Sequence, residues 1–318
     1  MNHSVAAALS DVRVTHDVPF AEAPIGHGTA CAGSRTLTLD VYEPAGGGAH
    51  AECAALILAH GGAYHRGSKE EALFEQDGSH NTSVAEYCRR FAARGQVCFS
   101  VGYRLTQERA APQSMPIKRD RSGVGRGRMD FVRERLGLPP ATDQELLDGV
   151  EGAVADVASA FGWVQREAPH WGVDPRRIAL GGFSAGAFSA AYAAYALGVP
   201  AAAVVSLSGG MDAADADHYV HGGRGQPPVL LFSSEFDLPG IAERTLALAT
   251  RAERAGLGVR RYFVPGKPHF YDRHTEVVLE HSSLAGGAAR CTVEAAISGF
   301  LDQTLGAARV DVGSRVAG

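Results

Sequence analysis

The chain is poor in lysine: Lys69, Lys118 and Lys267 are the only ones among its 30 basic residues, and arginine supplies the rest. That skew resembles the coding bias of GC-rich bacteria and carries no mechanism. Aromatic residues make up only 8% of the chain, with two tryptophans. No excess of positive charge is present either, since 35 acidic residues outnumber the basic ones and leave a net charge of −5. That balance excludes a general binder of phosphate backbones, so no nucleic-acid partner is expected. The five cysteines (Cys31, Cys53, Cys88, Cys98 and Cys291) form no CxxC pair. An odd, scattered set reads as reduced, mostly buried thiols in a cytoplasmic protein, and it excludes a disulfide framework or a zinc site. The start of the chain has only the short apolar run Val5 to Leu9 and no basic residue before Arg13, so no secretory signal is expected. One uncharged stretch, Ile178 to Met211, has the length of a membrane span. It is mostly Ala, Gly and Ser and is broken at Gly198-Val199-Pro200, so it reads as the interior of a folded domain, with no membrane partner.

What is present is a chain of 318 residues, 45% of them apolar, enough for one large core. Residues 36–42 alternate apolar and polar, the mark of a strand with one buried face. Ala54 to Ala59 and Val97 to Val101 are short unbroken apolar runs, as in strands buried on both faces. Between them Ser83-Val-Ala-Glu86 has capping-box spacing. Val84, Tyr87, Cys88 and Phe91 then recur at helical intervals up to Gly95. The alternation continues. Helices are expected over Val150 to Pro169, Ala185 to Leu197, Ile241 to Ala255 and Val293 to Leu305. Strands are expected over Ile178 to Gly182, Ala202 to Leu207, Val229 to Ser233 and Val259 to Val264. This order predicts an α/β fold with a mostly parallel central sheet flanked by helices. The polar stretch 106–149 is too long for a simple connection and reads as an insertion with its own helices near Met129 to Leu136 and Asp143 to Leu147. A Gly46-Gly47-Gly48 turn is expected, and residues 1–30 and 306–318 read as loosely ordered ends of a single domain.

Two motifs carry chemistry. Gly182-Phe183-Ser184-Ala185-Gly186 is a G-x-S-x-G between a strand and a helix, where Gly182 and Gly186 permit a tight turn that lifts the Ser184 hydroxyl clear. His60-Gly61-Gly62-Ala63 follows a buried strand, and glycines there let backbone N–H groups approach a developing oxyanion closely. His60 itself reads as a brace for that loop.

With Tyr103-Arg104-Leu105 and Asp174-Pro175-Arg176-Arg177-Ile178, these motifs make the chain resemble the α/β-hydrolase superfamily. The resemblance is to its carboxylesterase branch, related to hormone-sensitive lipase and to arylformamidases. It covers roughly residues 36–305, apart from the insertion. It implies a Ser-Asp-His triad of Ser184, Asp237 (after the last-but-one strand) and His269 (after the last). It also implies an oxyanion hole from the backbone amides of Gly61, Gly62 and Ala185. The expected activity is hydrolysis of a small carboxylic ester through an acyl-enzyme. The same machinery serves an amidase or arylformamidase, or acyl transfer and cyclisation in biosynthesis. A non-catalytic receptor on this scaffold would lose part of the triad. Glu235 is a rival acid. His274 and His281, rival bases, read as surface residues of a mobile loop. Ala63 replaces a third glycine common in the family, and Thr106-Gln107-Glu108 replaces the family's Ala-Pro.

The remaining signals are bland. His218-Tyr-Val-His221 pairs two imidazoles on a helical face without a third ligand, so no metal is called, and no cofactor is called either. Gly123-Val-Gly-Arg-Gly127 lacks the flanking strand and helix of a nucleotide fingerprint and reads as a flexible loop. Trp163 and Trp171 read as core. The insertion, expected to cap the active site, holds a basic cluster between Lys118 and Arg135. There Lys118, Arg119, Arg121, Arg126, Arg128, Arg133 and Arg135 face only Asp120, Asp130 and Glu134. Such a patch either keeps a solvated loop soluble or attracts an anionic substrate or an acidic carrier protein.

Overall fold

Short aliphatic runs pair side by side at the centre of the molecule, because a strand apolar on both faces finds cover only inside a sheet layered by helices. The computed structural model describes residues 12–44, 52–119, 121, 125–222 and 225–306. In chain order the strands are β1 (Val12–Ile25), β2 (Gly33–Pro44), β3 (Cys53–Ala59), β4 (Glu75–Gln76), β5 (Ser79–His80) and β6 (Val97–Val101). They continue as β7 (Val173–Phe183), β8 (Ala203–Leu207), β9 (Val229–Phe236), β10 (Val259–Pro268), β11 (Glu276–Ser282) and β12 (Arg290–Thr292). The helices are α1 (Val84–Ala92), α2 (Arg126–Arg135), α3 (Asp143–Glu167), α4 (Ala185–Tyr195), α5 (Ala213–Tyr219), α6 (Ile241–Arg254) and α7 (Val293–Leu305).

One 10-stranded sheet has the order β1-β2-β6-β3-β7-β8-β9-β10-β11-β12, and β4 and β5 form a small hairpin apart from it. Neighbours from β6 through β10 run parallel, and the outer pairs at both edges are antiparallel. The two-residue period of a strand sorts the core. Ile57, Phe99, Leu180 and Val204 face α3, α4 and α6 on one side. Leu56, Leu58, Ala179 and Val205 face α1 and α7 on the other. The α1 cap is as expected, with Ser83 Oγ accepting the Glu86 N–H at 3.1 Å.

Several expectations need correction. Residues 12–25, expected as part of a loose end, form β1, whose register against β2 runs from Val12–Pro44 to Ile25–Gly33. The separate helices expected at Asp143–Leu147 and from Val150 are one helix, α3, of 25 residues. It starts at a capping box in which Thr142 and Glu145 satisfy each other's backbone N–H groups. Gly149 and Gly152 sit within it because Thr106 and Ala110 press on those two positions. The stretch after His269 is no mobile loop: β11 and β12 extend the sheet there, with His281 in β11 and His274 in an exposed turn. Gly125 caps α2, so a helix does follow the glycine-rich stretch, whose residues 123 and 124 lie outside those described. The Gly46–Gly48 turn and residues 307–318 also lie outside them. Of the cysteines only Cys88 and Cys98 are buried, and Cys31 is exposed. Among the described residues no helix is long and apolar enough to cross a membrane.

One of the tightest contacts among the described residues is between β3 and the turn into α4. A Cβ on Gly186 would stand 2.0 Å from the Ala59 carbonyl oxygen, inside any van der Waals limit. Gly186→Ala should therefore lower stability by about 3 kcal/mol. Gly162→Ala, in α3 where the nearest atom is 3.5 Å away, should raise it by about 0.5–1 kcal/mol through helix propensity. Denaturant midpoints of the two variants check both signs.

Candidate active site

The turn between β7 and α4 holds Ser184 at φ 52°, ψ −118°, a conformation that costs a non-glycine residue about 1–3 kcal/mol. Its surroundings hold it there. The Ser184 N–H donates to the Leu207 carbonyl at 2.8 Å, and its own carbonyl accepts the Phe188 N–H of α4 at 3.0 Å. The side chain is thereby projected from the carboxyl end of the sheet.

His269 and Asp237 arrive from the ends of β10 and β9. His269 Nε2 lies 2.9 Å from Ser184 Oγ, and its Nδ1 lies 2.5 Å from Asp237 Oδ1. A carboxylate on Nδ1 assigns the proton to that nitrogen and leaves Nε2 free to accept from the serine. Asp237 is itself held by the Ser208 hydroxyl at 2.7 Å and by the N–H groups of Ser234 (3.0 Å) and Leu238 (2.9 Å). Burial works to raise its pKa, but the bond and charge of His269 and these other donors outweigh that and hold the carboxyl below its ordinary value. The Tyr271 hydroxyl stands 3.1 Å from Ser208 Oγ and extends the network. Sequence reasoning missed Ser208 and Tyr271. The signal for Ser208 was a polar residue before Gly209-Gly210 at the end of an apolar strand.

Glu235 points elsewhere, accepting the Gly266 N–H at 2.8 Å. His281 lies 2.9 Å from Glu253, on the outer sheet. The α5 helix ends at Tyr219, before His221, while His218 lies 3.4 Å from Arg119. Among the described residues no group of His, Cys, Asp and Glu has the makings of a metal site.

The loop after β3 closes over the serine. Gly61 comes so near that a Cβ there would lie 3.4 Å from Ser184 Cβ and 2.8 Å from the Phe183 ring. Gly62, Ala63 and Tyr64 follow with φ of 121°, 54° and 61°. Ala185 opens α4, so its N–H has no acceptor within the helix. His60 is buried, its Nδ1 2.8 Å from the Gly61 carbonyl and its ring stacked on Tyr103 at 4.1 Å. The Tyr103 hydroxyl donates to the His60 carbonyl at 2.8 Å. Next to it, Arg104 grips Asp156 of α3 through Nη2 at 2.7 Å, and the Thr106 N–H donates to the Tyr64 carbonyl at 2.8 Å. Tyr103-Arg104-Leu105 therefore braces the loop on one side and α3 on the other.

Above the serine lies a cavity of about 770 Å³, lined by Ala63, Ser184, Ala185, Phe188, Leu238 and Ile241, and by Gly125–Met129 and Phe131 at the start of α2. Its far wall carries Lys118, Tyr192, Asp212 and Arg244. Lys118 and Arg244 both bind Asp212, Arg244 through Nε at 2.5 Å.

A mostly parallel sheet flanked by helices, with a strained serine turn at the carboxyl end of a central strand, defines the α/β-hydrolase fold, and the chain has it. No protein-family model matches the chain, and no curated protein does. Solved structures do. The propionate-bound esterase 2 of the planctomycete Thermogutta terrifontis is similar at a TM-score of 0.55 and 18% identity, covering 82% of this chain and 85% of that one. The same esterase phosphorylated by paraoxon matches at a TM-score of 0.53 and 20% identity, covering 82% and 85%. Its native form matches at 0.54 and 19%, covering 82% and 84%.

The His60 environment has a consequence for stability. Burial drives its pKa down to about 4 from 6.5, against the opposing hydrogen bond to Gly61. Between those values the unfolded chain takes up a proton that the folded chain refuses, so stability falls as the pH drops from 6.5 toward 4. His60→Asn should remove about one proton's worth of that slope at pH 5, read from denaturant midpoints across pH. An unchanged slope would mean that His60 titrates normally in the folded protein.

Proposed function

We propose that the chain is a serine hydrolase that cleaves a small carboxylic ester through an acyl-enzyme. The observation that carries this reading is the unbroken run Ser184 Oγ–His269 Nε2, Nδ1–Asp237 Oδ1, with Ser184 on the wall of a largely apolar cavity. In this mechanism His269 Nε2 takes the Ser184 proton as Oγ attacks the acyl carbon. The carbonyl oxygen becomes an oxyanion that the backbone N–H groups of Gly61, Gly62 and Ala185 receive. His269 returns the proton to the departing alkoxide, and the alcohol leaves. Water, deprotonated by the same nitrogen, then attacks the acyl carbon, and Ser184 is released with its proton restored. Asp237 stays ionised throughout and stabilises the imidazolium. The cavity's volume suits a small molecule. The segment that brings α2 to the cavity rim serves as its cap.

Two further points support the reading. The similar Thermogutta esterase has been captured with propionate and as a paraoxon adduct. Ala63, where the family has a third glycine, already has the positive φ such a loop needs, and it costs the site no N–H.

Paraoxon should inactivate the protein and add one diethylphosphoryl group at Ser184, detected by mass spectrometry. Ser184→Ala should take up none and lose about 10⁶-fold in kcat toward p-nitrophenyl butyrate. His269→Ala should lose about as much, and Asp237→Asn about 10⁴-fold. Full activity in Ser184→Ala would end the proposal, and a larger loss in Glu235→Gln than in Asp237→Asn would move the acid.

A further inference from the structure

The basic cluster of the insertion does not survive folding as a single patch. Lys118 is buried against Asp212, Asp215 and the Tyr192 hydroxyl. Arg121 pairs with Glu151 at 3.2 Å, and Arg126 pairs with Asp130 and Asp143. Arg133 turns inward, its Nη1 3.1 Å from His65 Nε2 and its Nε donating to the Pro139 carbonyl at 2.9 Å. Arg135 lies over the Phe131 ring. Long-range steering by the cluster as a whole is thereby weakened, because Lys118, Arg121 and Arg126 are met by carboxylates within the fold.

Among the basic residues that line the cavity, Arg128 is the exception. Four basic side chains line the cavity that holds Ser184: Lys118, Arg126, Arg128 and Arg244. Three of them have carboxylate partners. Arg128 is half-buried, rests 5.3 Å from the Phe131 ring centroid, and has no carboxylate partner among the described residues. A second arginine shares this condition. Arg66 follows the oxyanion loop, its N–H donating to the Gly62 carbonyl at 3.2 Å. It is half-buried over the Phe74 ring, its Nε is buried with no hydrogen-bond partner, and among the described residues it too has no carboxylate. Burial first, and then the like charge of Arg66, depress the pKa of Arg128, though an arginine remains charged at any working pH. Two partly desolvated guanidinium groups that repel each other are costly to keep unless an anion completes them.

Taking the hydrolase reading as given, we infer that Arg128, reinforced by the charge of Arg66, is a specificity-determining anion subsite, and that the preferred substrates are esters bearing a carboxylate remote from the scissile bond. A guanidinium presents parallel N–H donors that match the two oxygens of a carboxylate, and the apolar walls supplied by Met129, Phe131 and Phe188 suit the chain between carboxylate and ester. Lys118 and Arg244, both committed to Asp212, do not compete for the anion.

The test compares the p-nitrophenyl hemiester of glutarate with p-nitrophenyl valerate, which has the same chain length but no charge. The wild type should favour the hemiester in kcat/KM by about tenfold or more, as expected for one charge-assisted hydrogen-bonded pair. Arg128→Gln should abolish that preference while leaving valerate ester hydrolysis within about threefold. Arg128→Lys should keep part of it, and Arg66→Gln should reduce it less. Free glutarate should inhibit valerate ester hydrolysis by the wild type at least tenfold more tightly than free valerate does, a comparison that needs no variant. Equal kcat/KM for the two esters, or equal slowing of both by Arg128→Gln, would overturn the subsite while leaving the hydrolase reading intact. Should neither ester be hydrolysed, the hydrolase reading fails. Calorimetric binding of glutarate, lost in Arg128→Gln, then still decides the subsite.

Discussion

The carbonyl oxygens of Ala59 and His60 lie so close to the turn into α4 that only hydrogen fits on the α-carbons of Gly182 and Gly186. This contact joins the end of β3 to the end of β7, two neighbouring parallel strands. The proposed chemistry depends on it. Because β3 leads into the Gly61–Ala63 loop and β7 leads into Ser184, one steric fit sets the proposed nucleophile against the amides proposed to meet the oxyanion. A side chain at either glycine would push these elements apart by more than a hydrogen bond tolerates. The positive φ of Ser184 is the local cost of the same fit, offset by the bonds to Leu207 and Phe188.

The other half of the site comes from the order of strands. β8, β9 and β10 follow β7 in sequence and in space, so their carboxyl ends deliver Ser208, Asp237 and His269 to the same end of the sheet as Ser184. The network then reads outward from the serine: His269, Asp237, Ser208, Tyr271. Each member orients the one before it, which is how a flexible carboxylate and an imidazole are kept in one geometry.

Much of this was legible in the chain itself. Unbroken aliphatic runs such as Ala54–Ala59 suit strands buried on both faces, and β3 is where that run stands. The serine turn was legible because its two glycines answer a backbone contact that no other residue permits. What was not legible depends on distant partners. The chain around Val12–Ile25 has prolines and mixed polarity, and it becomes a strand only because β2 offers an edge. The two helices expected at Asp143–Leu147 and from Val150 are one helix, in which Gly149 and Gly152 pack closely against Thr106 and Ala110. The basic cluster looked like one positive patch because sequence spacing does not reveal that Asp212, Asp215 and Glu151 fold back onto it. His281 looked like loop because the alternation in Glu276–Ser282 is weak at the far edge of the sheet.

The proposed chemistry makes its bond at Ser184 Oγ and passes through a covalent acyl-enzyme on the path to product. Rapid chemical quenching of the protein during turnover of p-nitrophenyl butyrate, followed by peptide mass spectrometry, addresses it directly. A butyryl group should appear on Ser184 together with the first equivalent of nitrophenolate and disappear as substrate is exhausted. Turnover with no acyl group on Ser184 at any quench time, or with the group on another residue, would contradict it.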